Sequence, residues 1–81
     1  METKEPIEYN AKELIAGFRK ARGFERAEDI AKQLNITKPT YLKYESKPWT
    51  MSLGMLDELE KLLGEDFRDM FFKYKLYKKK K

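Results

Sequence analysis

Between Arg26 and Ser46 the sequence reads RAEDIAKQLNITKPTYLKYES. Its chemistry-bearing groups are ammonium and hydroxyl donors: Lys38, Thr40 and Lys43, with Lys47 just beyond. They are expected on the outward side of one helix. Such donors bind anions and do not make or break bonds. A lysine there can reach phosphate oxygens, or guanine O6 and N7, or it can simply be solvated. No nucleophile or metal set stands beside them, because cysteine and histidine are both absent from the chain. That removes disulfides, thiolate chemistry and the usual zinc ligand sets. Carboxylates are plentiful in residues 51–72, but without a histidine or a metal they read as a solvated face. The chain is therefore expected not to be an enzyme, and to need no cofactor, metal or small-molecule ligand.

Two short helices must carry these donors. Ala27, Ile30, Ala31 and Leu34 recur at three- and four-residue steps, which predicts an apolar stripe on the first. Asn35 tolerates the left-handed conformation that ends a helix. Thr37 is an N-cap for the second, and Pro39 falls in its first turn, where a missing N–H costs little. Tyr41 and Tyr44, three residues apart, are expected to face one core. The small Ala31 lets the second helix cross the first closely. This pattern predicts a helix-turn-helix, a motif that offers its second helix to a DNA major groove.

Further helices flank this unit. Asn10 and Glu13 have capping-box spacing, and helix 1 is expected from Ala11 to Arg22, with Leu14, Ile15, Phe18 and Ala21 inward and Gly23 as its stop. Gly17 lies mid-helix at a cost of about 1 kcal/mol relative to alanine, which close packing would explain. Phe24 is expected to fold back between helices 1 and 2. Ser52 caps helix 4, Leu53 to Leu63, with Leu56, Leu59 and Leu63 on one stripe and Leu53 at its edge. Gly64 ends it. Glu65 and Asp66 then suit the positive end of helix 5, whose Phe67, Met70 and Phe71 point inward. Trp49, the only tryptophan, is expected to cap the core from the loop after helix 3. Phe72 to Leu76 alternates apolar and basic residues, as a short strand does, and a further two turns of helix fit equally. Either form exposes aromatics that suit a homodimer contact.

The segments IAKQLNITKPTYLKYE and SLGMLDELEKLLGEDFRDMF resemble the Cro/C1-type helix-turn-helix regulators of phages and bacteria, over roughly residues 14–71. The resemblance implies base contacts from Lys38, Pro39 and Lys43. Pro39 cannot donate a hydrogen bond but can pack on a thymine methyl. It implies backbone contacts from Arg26, Thr37, Thr40 and Lys47, and an Arg19–Glu45 ion pair tying helix 1 to the end of helix 3. Two departures stand out. The loop after helix 1 is one residue longer, around Glu25, and Ala27 replaces a glutamine that binds phosphate, so that contact is either lost or passed to Arg26.

Eighty-one residues suffice for one small core. The net charge of +4 is unevenly placed. Residues 15–50 hold eight Lys/Arg against four acids, residues 51–72 two against six, and residues 73–81 six lysines and no acid. One face for nucleic acid fits that division. No apolar run is long enough to span a bilayer and no leader is recognisable, so a cytoplasmic protein is expected. The expected fold is all-α: a compact five-helix, lambda-repressor-like bundle. Residues 10–72 form the helix-turn-helix domain, after a flexible lead-in (1–9) and before a basic tail (73–81). The expected partner is a double-stranded DNA operator bound by a homodimer. The alternative is an antirepressor of the same fold, which docks on another repressor protein.

Overall fold

A computed structural model of the chain describes residues 10–79. The expected lead-in 1–9, with Lys80 and Lys81, lies outside the described residues. Five helices run in order: α1 (Ala11–Ala21), α2 (Ala27–Leu34), α3 (Lys38–Ser46), α4 (Leu53–Leu63) and α5 (Glu65–Lys73). A single 3₁₀ turn, Pro48–Thr50, joins α3 to α4. Among the described residues there is no strand, and no helix is long and apolar enough to cross a membrane.

Local chemistry sets most boundaries. Asn10 Oδ1 accepts the Lys12 N–H at 2.9 Å, Thr37 Oγ1 accepts that of Thr40 at 3.3 Å, and Ser52 Oγ that of Met55 at 3.0 Å. Each satisfies a donor that the first turn leaves without a partner. At Asn10 this is not the expected capping box. The Glu13 N–H bonds the Asn10 carbonyl instead, at 3.0 Å.

Three helices stop in the same way. Gly23, Asn35 and Lys75 have φ of 93°, 61° and 53°. The residue after each donates its N–H five residues back: Phe24 to Arg19, Ile36 to Ala31 and Leu76 to Phe71, at 3.0, 3.0 and 2.9 Å. That is the Schellman arrangement, which also brings an apolar residue back onto the helix. Phe24 and Ile36 accordingly pack on the core, and Leu76 enters it at 7% exposure. Phe72 to Tyr77 is thus neither a strand nor two more turns of helix. Lysine reverses the chain where glycine would do so without steric cost. Lys75→Gly should therefore stabilise the fold by about 1 kcal/mol and raise Tm by about 4–8 °C, with Lys75→Ala giving no such gain. Thermal unfolding followed by circular dichroism checks this.

The core is built on Ile15, Ile30, Tyr41, Leu56, Leu59, Leu63 and Phe67, each at most 1% exposed. Each contributes roughly 1.5–3 kcal/mol by leaving water. Phe18 meets Phe67 edge-on, with ring centres 5.8 Å apart, and locks α1 to α5.

Three expectations about inward faces need correction. Ala21 is exposed, because α1 buries Ala11, Ile15 and Arg19 at four-residue steps, and an inward arginine rotates the buried arc away from Ala21. A Cβ on Gly17 would touch nothing within 4 Å, so close packing does not explain that glycine. Tyr41 is buried but Tyr44 is only half-buried; Leu42, not Tyr44, packs against the core beside it.

Candidate functional site

Helix α3 has two unlike sides. Its buried residues are Tyr41 and Glu45, both carrying polar atoms. Its exposed residues include Lys38, Pro39, Lys43 and Ser46, and Lys47 follows exposed at the C-cap. Pro39, Lys43 and Ser46 follow one another at four- and three-residue steps, so the fold brings them to one outward row. Lys38 stands at the amino end of the helix, off that row. Among the described residues neither Lys38, Lys43 nor Lys47 enters an ion pair.

The remaining expected contacts gather near the start of α3 and of α2. Thr37 is exposed and Thr40 half-buried, and the Thr37 hydroxyl donates to Thr40 Oγ1 at 2.9 Å. This bond, together with the cap, occupies Thr37, while the Thr40 hydroxyl keeps its proton free to donate. Arg26 is the exposed N-cap of α2, and its backbone N–H reaches the Asp29 carboxylate at 3.3 Å. Its guanidinium is left to the solvent side.

Behind α3 the polar groups converge. Arg19 Nε donates to Glu45 Oε2 at 2.9 Å, with Arg19 at 6% and Glu45 at 1% exposure. Arg19 Nη1 also donates to the carbonyls of Phe24 and Glu25, at 2.9 and 2.6 Å. One guanidinium therefore ties α1, the loop after it and α3 together. The carbonyl contacts were not visible in the sequence, although they fall in the loop between α1 and α2. The fork of a guanidinium can serve several acceptors at once, where an ammonium offers only a point charge.

Among the described residues, Glu45 Oε1 and the Tyr41 hydroxyl are buried with no hydrogen-bond partner. Burial, reinforced by the neighbouring Glu45 carboxylate, pushes the Tyr41 hydroxyl well above the ordinary tyrosine range. This sets a pH dependence. Above about pH 10 the unfolded chain releases the Tyr41 proton and the folded chain keeps it. Stability from this group is then full below pH 10 and falls as pH rises, by up to about 1.4 kcal/mol per pH unit. Tyr41→Phe should remove that slope in denaturant titrations between neutral and alkaline pH. At neutral pH it should cost no more than about 1.5 kcal/mol, the usual net worth of one hydrogen bond.

The exposed sides of α4 and α5 are acidic. Arg68 Nη1 bridges Asp57 and Glu60, at 3.0 and 2.8 Å, joining α5 to α4. Exposed pairs of this kind add little stability.

Comparison of the chain with models of known protein families, with curated proteins and with solved structures returns no match. The functional reading rests on the site's own geometry.

Proposed function

We propose that this chain is a sequence-specific double-stranded DNA-binding regulator. In this reading α2 and α3 form a helix-turn-helix of the Cro/C1 kind, and α3 lies in the major groove of an operator. One observation carries the reading. α3 is held from behind by a buried, forked arginine contact, while its front is cationic and, among the described residues, enters no ion pair. A helix fixed in position and presenting unneutralised lysines is what groove recognition needs. Lys38 and Lys43 would donate to base edges, with Pro39 against a thymine methyl. Arg26, Thr40 and Lys47 would hold phosphates, with Thr37 orienting the Thr40 hydroxyl instead of reaching phosphate itself. Occlusion of polymerase at the operator would make the chain a repressor, and the reading places it in the cytoplasm with no cofactor.

The second reading is a protein-binding module that docks on another repressor. It is favoured by the surplus of carboxylates on α4 and α5 and by Ala27, which offers phosphate nothing.

Selection from a random duplex library separates the two. It would use the full chain and a variant with Lys78–Lys81 replaced by serine, at about 0.15 M salt, where tail-driven attraction is screened. Enrichment of one sequence by both proteins is expected, as a palindrome with half-sites about one helical turn apart. If neither protein enriches a sequence, the DNA reading fails and the docking reading takes its place.

A further inference from the structure

Three large apolar side chains stand strongly exposed among the described residues: Leu53 at 73%, Tyr77 at 46% and Phe72 at 45%. All three line one depression of about 60 Å³, with Trp49, Leu56 and Phe71 also around it. Single exposed apolar residues are ordinary on a protein surface; a contiguous cluster marks a contact. We propose that this face is where a second copy of the chain docks, across a two-fold axis. The proposal deepens the DNA reading by naming the face through which its homodimer forms, and it is tested without DNA.

The shape favours a copy of itself. A two-fold contact uses the same patch twice, so the patch must hold both a projection and its socket. Leu53 is the projection, at the first turn of α4. The depression beside it is smaller than the roughly 150 Å³ that encloses a benzene ring, so it suits a branched aliphatic tip and not an aromatic ligand. It also lacks the length of a groove that would seat a helix by anchors on successive turns.

The patch is built rather than incidental. The Arg68 guanidinium lies over the Phe72 ring at 5.7 Å while it holds Asp57 and Glu60. The rings of Phe71 and Phe72 meet edge-on at 5.5 Å, and Tyr77 tilts against Phe72 at 5.6 Å. The turn at Lys75 that buries Leu76 is what delivers Tyr77 to this place. Tryptophan, tyrosine, phenylalanine, methionine and arginine are the residue types enriched in interface centres. All five occur here, Met51 among the lining residues. The flanks carry opposite signs, with Asp57 one turn along α4 from Leu53, and Lys73 and Lys78 next to Phe72 and Tyr77. A two-fold axis sets the acidic flank of one copy against the basic flank of the other, twice.

The test is sedimentation equilibrium of the full chain, without DNA, from micromolar to sub-millimolar concentration. A monomer–dimer equilibrium is expected, with Trp49 emission moving to the blue as dimer forms. Leu53→Ser and Phe72→Ser should each weaken dimerisation more than about tenfold, as truncation of a central contact does, with unchanged far-ultraviolet circular dichroism. Lys32→Ser, exposed on α2, should leave it unchanged. A chain that stays monomeric throughout overturns the proposal, as does a dimer indifferent to both serine variants. Binding of the monomer to anionic lipid vesicles, abolished by Leu53→Ser, would also overturn it by giving the face to a membrane. Because no DNA is present, failure here is distinct from failure to select an operator.

Discussion

Arg19→Met should destabilise the protein by about 3–5 kcal/mol, measured by urea denaturation at neutral pH. The substitution keeps the length and the apolar stem of the side chain but removes every donor. Glu45, at 1% exposure, then holds a charge with no partner, and the carbonyls of Phe24 and Glu25 lose theirs. An uncompensated buried charge is the larger of these losses. A domain of this size has about 5–15 kcal/mol in total, so the variant should be close to unfolding at body temperature. Arg19→Met combined with Glu45→Leu should recover most of the loss, because apolar replacement of a whole buried pair is often neutral. The two results together separate a pair that holds the fold from one that holds only α3. Recovered stability without recovered DNA binding would show that the guanidinium places the loop before Arg26. A single variant within about 1 kcal/mol of wild type would remove the pair from any structural role.

What the sequence made legible follows the range of the forces involved. Thr37, Ser52, Asn35 and Gly64 act within one turn of their own position, and the helix ends fall there because capping is local. The apolar stripes of α2 and α4 were equally plain, since Ile30, Leu34, Leu56 and Leu59 bury by periodicity alone. Arg19 breaks that logic. Periodicity counts a charged residue as outward, and only Glu45, 26 residues away, turns it inward and so moves Ala21 to the surface. Leu76 failed for a related reason: an alternating pattern suggests a strand, and it conceals a left-handed lysine that folds the chain back. Leu53 looks like the edge of an inward stripe, and nothing short of the assembled α4–α5 corner shows it to be 73% exposed. At the candidate site the lysines of α3 were visible as outward residues. The device that holds α3 rigid was visible only as a pair, without its grip on the loop.

Lys38→Ala and Lys43→Ala should each weaken binding to the selected operator by about 1–3 kcal/mol, roughly 5- to 150-fold. The affinity loss alone does not establish base readout, since removing a phosphate contact also weakens binding. The discriminating quantity is how the loss divides between specific and unspecific DNA. If Lys43 donates to a guanine, Lys43→Ala should relax preference at one operator position and leave affinity for unrelated duplex nearly unchanged. Lys47→Ala should do the reverse, weakening both kinds of DNA alike and lowering the salt slope by about one. Lys43 shares its outward row with Pro39, while Lys38 sits at the helix's amino end, so the two lysines should affect different operator positions. Fluorescence anisotropy on the operator and on scrambled duplex, across a salt series, reads all of these quantities. Equal losses on both duplexes for Lys38→Ala and Lys43→Ala would assign the lysines to phosphate and leave specificity to Pro39 and DNA shape. No loss at all would take α3 out of the groove.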